Sequence, residues 1–166
     1  MFKPYFARFA AYNIWANGKL YDAAAAVPAA ELTRDVGAFF GSLSGTLNHM
    51  IVADRVWLRR FLGDGPEESQ LNRIITHDLA ELRTLRNAED SRISGFIGSR
   101  SEADLAGTFS YRNIAGHAFE QPLSETLAHF FNHHTHHRGQ AHGILTHLTG
   151  KAPELDLLYY IRDLEG

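Results

Sequence analysis

Apolar residues recur along this chain with the three- and four-residue spacing of helices that bury one face. The first series begins at Tyr5, after a proline that suits a first helical turn, and ends in the alanines of residues 23–26. Because a proline cannot continue a helix, the pattern predicts one long helix that ends before Pro28. Residues 28–41 mix proline, glycine and charge, and are predicted to form a connection.

A second helical series lies between a serine that can cap it and a glycine that can end it. Ser42 or Ser44 suits the N-terminal cap, and the apolar positions continue to Leu62. Gly63 follows directly, in a position where glycine commonly ends a helix. The pattern predicts a second long helix from this cap through Leu62.

A third helix and a hairpin are predicted in the middle of the chain. Thr76 can cap the helix, whose apolar positions run from Leu79 to Ile93 and whose outer face is charged. Residues 99–121 show no helical period. Aromatic and polar residues alternate there, and residues 113–116 have turn chemistry, so we predict a short hairpin.

The last long helix is predicted over residues 123–149, with Pro122 in its first turn and Gly150 closing it. A short helix is expected in the tail, over residues 153–163. Four long helices with one long crossover predict an all-α fold, a four-helix bundle with a small hairpin and a short C-terminal helix. A chain of 166 residues suits one domain spanning residues 1–166.

Seven of the ten histidines fall in this last long helix. If each residue turns by about 100°, His133 and His137 lie one turn apart, with His137 inside the apolar face and His133 at its border. The other five are predicted elsewhere: His129, His136 and His147 outside the apolar arc, His134 near its other edge, and His142 on the solvent side.

Two imidazoles one turn apart on an inward face can direct a ring nitrogen at one shared point, as a metal site requires. Without a partner, the nitrogens of His133 and His137 would be stranded among apolar groups, and a divalent cation resolves that cost. The alternative is that both histidines hydrogen-bond to other buried polar groups. A metal would also need at least one further protein ligand.

His49, in the second long helix, is the natural third ligand. It lies about 120° from the middle of that helix's apolar arc. Spacing alone therefore leaves open whether His49 binds a metal or is a hydrogen-bonded histidine. Asp54 turns towards the apolar side of the same helix, and we interpret it as a buried ion-pair partner rather than a general base. Asn13 and Asn17 of the first helix are expected to point outward or to line a pocket.

Composition excludes several classes of protein. The net charge of −3 and the lack of any Lys/Arg block argue against nucleic-acid binding, and Arg55, Arg59 and Arg60 are interpreted as the solvated side of one helix. No stretch approaches the roughly 20 apolar residues of a membrane span, and no signal peptide is evident, so a soluble cytoplasmic protein is expected. There is no cysteine, so thiol chemistry would require a bound small molecule.

Four stretches of the sequence resemble the DinB (YfiT-like) family of metalloenzymes. They are YNIWAN at residues 12–17, LNHMIVADRVWL at 47–58, NHHTHHRGQ at 132–140 and LDLLYYIRD at 155–163. The resemblance implies a four-helix bundle, commonly a homodimer, with a divalent metal such as zinc or nickel. Carried over position by position, the metal ligands are His49, His133 and His137.

Two further residues match the same motif. Arg138 lies at the margin of the apolar arc and is interpreted as an ion-pairing or structural residue. Gln140 lies near the metal face and is expected to be able to touch a ligand.

Three histidines with open positions are typical of a reactive metal centre. Relatives in the superfamily use low-molecular-weight thiols in transfer or isomerisation reactions, so the resemblance implies first a thiol-dependent S-transferase acting on a small molecule. A metal-dependent hydrolase would use water at the same centre. A non-enzymatic alternative is a stress-related metal-binding bundle, and a further one is a bundle without metal.

Overall fold

Seven helices and two strands form over residues 1–165, the part of the chain that this computed structural model describes. The fold is mainly helical, as predicted. In chain order the elements are α1 (Lys3–Ala25), α2 (Ala29–Leu32), α3 (Leu43–Leu62), α4 (Leu79–Ser99), α5 (Glu102–Ala106), β1 (Thr108–Arg112), β2 (Ala118–Pro122), α6 (Leu123–Thr149) and α7 (Leu157–Glu165).

The ends of the long helices follow from local residue chemistry. The Ser42 side chain accepts a hydrogen bond from the Gly45 backbone N–H and caps α3, which confirms one of the two predicted caps. Gly63 and Gly150 end α3 and α6 in the left-handed conformation, with φ of 78° and 75°. Pro122 serves as the N-cap residue of α6 and does not enter its first turn.

Three local predictions need correction. Asp78, not Thr76, caps α4, because the Asp78 carboxylate accepts from the backbone N–H groups of Ala80 and Glu81. The predicted connection before α3 contains the short helix α2. The segment after Ser99 contains the five-residue helix α5, which is too short to show a period but carries a capping box at Ser101.

The hairpin is confirmed. β1 and β2 pair antiparallel, with Thr108 opposite Pro122 and Arg112 opposite Ala118. The turn between them is closed by hydrogen bonds from the Asn113 N–H to the His117 carbonyl and from the Gly116 N–H to the Asn113 carbonyl.

The four long helices pack in pairs, with α1 and α3 each contacting both α4 and α6. The tail helix is confirmed too, and it packs on α1 by placing Tyr160 beside Tyr12 and Trp15. None of the helices within residues 1–165 is long and apolar enough to cross a membrane.

The core has two large apolar clusters. One joins the C-terminal parts of α1 and α6 to the N-terminal half of α3, around Leu20, Leu47 and Leu145. The other joins the N-terminal parts of α1 and α6 to the C-terminal parts of α3 and α4, around Phe6 and Phe130. On each of the four helices a group of buried polar residues separates the two clusters in sequence. We call this group the polar layer: Asn13, Asn17, Asp54, Arg86, Asp90, His134 and Arg138.

Arg86 lies at the centre of the polar layer. Its guanidinium pairs with Asp54 and, at 3.0 Å, with Asp90, and it is 1% exposed. Burial alone would lower the pKa of Arg86, but the two carboxylates more than compensate and raise it. His134 Nε2 also lies 2.7 Å from a carboxylate oxygen of Asp54. Asp54 pairs with Arg86 in the core, so its predicted role as a buried ion-pair partner is confirmed.

The prediction for Asn13 and Asn17 is wrong. Both are 1% exposed and donate to Asp90, at 3.3 and 3.1 Å. The side-chain Oδ1 of Asn13 accepts from Arg138, whose guanidinium also lies 5.0 Å from the centre of the Tyr12 ring. Arg138 is therefore structural, as predicted, although its partner is an amide and an aromatic ring.

Replacing Arg86 with leucine is expected to lower the free energy of unfolding by about 3–5 kcal/mol, because two buried carboxylates lose their cation. Arg83→Leu, three residues earlier on α4, removes an exposed pair with Asp22 and is expected to cost less than about 1 kcal/mol. Urea unfolding of both variants measures the difference. If both variants lose the same free energy of unfolding, the buried pairs of Arg86 contribute no more to stability than an exposed pair.

Candidate metal centre

The structure brings His49, His133 and His137 together at one point between α3 and α6. The Nε2 atom of His137 lies 3.1 Å from that of His49 and 3.0 Å from that of His133. All three candidate ligand atoms lie within 4.8 Å of one another, and this group of the described residues contains three imidazoles and no carboxylate.

Helix packing explains why the three rings meet. His133 and His137 are one turn apart on α6, so their rings project from the same face. α3 packs against α6 and supplies His49 from the other side. Helix-wheel reasoning could not orient His49, because its direction depends on which face of α3 meets α6.

Phe40 covers one side of the group, and sequence reasoning missed it. Its ring stacks on His49 with centroids 3.9 Å apart and lies 5.6 Å from the ring of His137. Gly45 makes this approach possible, since a Cβ there would lie 2.0 Å from the Phe40 carbonyl oxygen. The glycine in the first turn of α3 was the only sequence signal for such a close contact.

Hydrogen bonds to the far side of two rings fix which nitrogen faces the centre. The Nδ1–H of His49 donates to the Leu71 carbonyl at 2.7 Å, which leaves Nε2 with its lone pair directed inward. The Nδ1–H of His137 donates likewise to Gln140 Oε1 at 2.7 Å. Gln140 thus contacts the candidate ligand His137, and it lies near the metal face, as predicted.

The arrangement fits a cation. With both Nδ1 atoms carrying the protons, the Nε2 lone pairs of His49 and His137 face each other at 3.1 Å with no proton between them. Such a contact is repulsive unless a positive charge lies between the nitrogens. Neutral imidazoles held by carbonyl acceptors on their far side are the usual form of histidine ligands to transition metals.

Burial keeps these imidazoles neutral. It lowers the pKa of His133 to about 3, helped by the neighbouring His137, and it lowers the pKa of His137 to about 4 despite the hydrogen bond to Gln140. Burial also lowers the pKa of His49. Since a metal binds only unprotonated imidazole, no proton has to be displaced at neutral pH.

The segment between α3 and α4 holds Leu71 in place, and it has two anchors. The side-chain Oδ1 of Asn48 accepts from the Ile75 N–H at 2.7 Å, and the side-chain Nδ2 of Asn48 donates to the Thr76 carbonyl at 2.9 Å. At the other anchor Glu68, which is 7% exposed, pairs with Arg55 at 3.3 Å. The interpretation of Arg55 as solvated is therefore wrong.

The other histidines do not join the group. His134 lies in the polar layer, and His129, His136 and His147 are exposed, in line with the wheel. His77 and His117 are exposed as well. His142, predicted to be solvated, is half-buried and lines a cleft with Tyr12 and Arg138.

Stability without metal should depend on pH through these rings. In the unfolded chain histidine binds a proton near pH 6.5, whereas His133 and His137 stay neutral in the fold until about pH 3 and 4. The unfolded state therefore binds more protons between these values, and the free energy of unfolding of chelator-treated protein should fall from about pH 7 to pH 5.

His133→Gln is expected to weaken that loss of stability, while His147→Gln, exposed on the same helix, should leave it unchanged. Urea unfolding at the two pH values measures each slope. If all three proteins lose stability equally, the buried rings do not carry the effect.

Comparison with known proteins identifies the family of this chain. A family model described as the DinB family matches residues 1–164. Protein DinB of Bacillus subtilis (strain 168) is 24% identical over 138 residues, which cover 81% of this chain and 80% of that protein. The chain, with its three converging histidines, belongs to the DinB family.

Proposed function

We propose that this protein is a metalloenzyme in which His49, His133 and His137 hold one divalent ion, zinc or nickel. The observation that supports this most directly is that the Nε2 atoms of three neutral imidazoles lie close together, in a group without a carboxylate. Three protein ligands leave coordination positions open, which is typical of catalytic sites and unlike closed structural ones.

When bound, the ion would lower the pKa of a thiol or water in the open position so that it can attack at neutral pH. The protein residues have other tasks. Leu71 and Gln140 hold His49 and His137 in the tautomer that presents Nε2. Phe40 excludes water from one side of the group by stacking on His49.

A low-molecular-weight thiol is the favoured nucleophile, which makes the reaction class an S-transferase acting on a small molecule. The chain has no cysteine, so a sulfur nucleophile has to come from a bound molecule. The family resemblance supports the same choice. The runner-up is a metal-dependent hydrolase with water as nucleophile, and the non-catalytic alternative is a stress-related metal-binding protein.

The same proposal includes the scaffold and its assembly. We propose one domain spanning residues 1–166, a four-helix bundle of α1, α3, α4 and α6 with a long crossover, located in the cytoplasm. A homodimer would bury apolar side chains that the single chain exposes on α1 and α7. These include Tyr5 and Ile14, 56% and 46% exposed, and Leu158 and Leu164, 62% and 65% exposed.

The test begins with metal analysis of protein purified without a nickel column, where about one zinc or nickel per chain is expected. His133→Ala should weaken metal binding by more than about 100-fold, beyond the loss seen when only a ligand-orienting group is removed. His129→Ala, exposed one turn earlier on α6, is the matched control and should keep full affinity.

Cobalt substitution distinguishes the candidate functions. Addition of a small thiol to the cobalt-loaded protein should produce a sulfur-to-cobalt absorption band if the thiol enters an open position. A bound metal that no thiol perturbs, but whose removal collapses thermal stability, would favour the non-catalytic role. No metal binding at all would exclude each of these functions.

Gln140 gives a separate prediction. Gln140→Leu removes the acceptor for the Nδ1–H of His137 and should weaken metal binding about 10- to 100-fold. Gln140→Glu keeps an acceptor oxygen and should retain or strengthen binding. Competition with a chelator measures both affinities, and equal affinities in the two variants would contradict an orienting role.

A further inference from the structure

A second cleft lies between the C-terminal half of α3 and the hairpin. Its volume is about 380 Å³, and it opens between α3, residues 67–69 and the turn after β1. Three arginines line it, namely Arg59, Arg60 and Arg112. None of these residues belongs to the three-histidine group.

The charges in this cleft do not balance. Arg59 pairs with Glu67 at 3.7 Å. Glu68, the other acid in the lining, is already paired with Arg55 at 3.3 Å and with Arg73 at 2.8 Å. Among the side chains of residues 1–164, no carboxylate lies within ion-pair distance of Arg60 or of Arg112, whose guanidinium donates one hydrogen bond to the Gly116 carbonyl at 2.8 Å. Two positive charges are left without counter-ions.

Arg60 is held in a fixed place. Its guanidinium lies 4.5 Å from the centre of the Trp57 ring and 5.2 Å from that of Tyr111. Burial lowers the pKa of Arg60, so its charge is partly desolvated there. A guanidinium stacked on aromatic faces keeps its edge N–H donors free for a planar anion. The sequence-based interpretation of Arg60 as a solvated charge is therefore incomplete.

The cleft lies on the same side of α3 as the metal centre. At about 100° per residue, Val56 and Arg60 fall within about 20° of His49 around the helix. The Cα atoms of His49 and Arg60 are separated by about 16 Å along the helix axis. Long side chains on a helix lean back towards its N-terminus, which for Arg60 is the direction of His49. Residues 67–71 connect the two sites, since Glu68 lines the cleft and Leu71 binds His49.

We propose that Arg60 and Arg112 bind the anionic end, a carboxylate or a phosphate, of an extended small molecule whose thiol end lies at the metal. This rests on the proposed function and narrows its substrate to an acidic thiol about as long as a tripeptide, roughly 10 Å. Arg60 forms the fixed part of this subsite, and Arg112 adds a second charge from the end of β1.

The test uses pairs of ligands in which one member carries an anionic group and the other a neutral group at the same position. S-methylglutathione and its diethyl ester compare carboxylates with neutral esters, and phosphopantetheine and pantetheine compare a phosphate with a hydroxyl. Calorimetric titration of the full chain, both metal-free and cobalt-loaded, measures each affinity. We expect the anionic member of at least one pair to bind about tenfold more tightly, as for hydrogen bonds to a charged group. The pair that shows the preference identifies the anion.

Variants then assign the preference to residues. Arg60→Gln and, independently, Arg112→Gln should reduce the preference several-fold without changing cobalt affinity, and Arg60→Lys should retain part of it. Arg8→Gln, an exposed arginine on α1, is the control and should keep it. Arg112 is exposed at the end of β1, so its variant remains informative if Arg60→Gln lowers the melting temperature.

The two proposals fail in different ways. If cobalt binds but neither ligand pair shows a preference, or if the preference survives in both glutamine variants, the anion subsite is wrong and the metal centre stands. If cobalt does not bind but metal-free protein prefers the anion through Arg60 and Arg112, the metal centre is wrong and the anion subsite stands.

Discussion

The ion-pair cluster around Arg86 is the interaction on which the rest of this structure depends. Arg86 lies between Asp54 and Asp90 and compensates the cost of burying their carboxylates. The two carboxylates in turn compensate the cost of burying the Arg86 guanidinium. His134 of α6 binds the same Asp54. The cluster therefore sets the rotation of α3 and α6 about their own axes, because a turned helix would leave a buried charge unpaired.

That rotation sets the direction of the three histidines of the candidate metal centre. His133 and His134 are neighbours on α6, as are His137 and Arg138, and in each pair the first residue lies in the three-histidine group and the second in the polar layer. On α3, Asp54 faces the polar layer while His49 faces the imidazoles. The three candidate ligands thus gain their direction from charges they do not touch, which gives a polar layer that interrupts the apolar core a positioning role.

Most of the helix ends that local chemistry determines could be predicted from the sequence, although the Asp78 cap of α4 and the short helix α5 were missed. The contacts that distant partners determine could not be predicted. Ser42, Gly63 and Gly150 act on their own helix ends, so the bounds of α3 and α6 were foreseen. Asn13, Asn17 and Arg55 were misplaced because the carboxylates that bury them come from other elements. At the site, helical periodicity could predict that His133 and His137 share a face of α6. It could not predict the positions of Phe40 and Leu71, which lie in segments without a helical period.

The asymmetry around the three histidines bears on whether the centre acts on a ligand. Phe40 covers the group at His49, and the Leu71 segment closes the adjacent side. His133 is only half-buried, and its ring centroid lies 5.9 Å from that of the exposed His129. The ring centroid of His129 lies in turn 5.4 Å from that of Trp57. Trp57 in turn lies under Arg60. A purely structural ion has no need of an open side that leads along aromatic rings to an uncompensated cation, whereas a centre that binds an extended acidic molecule does.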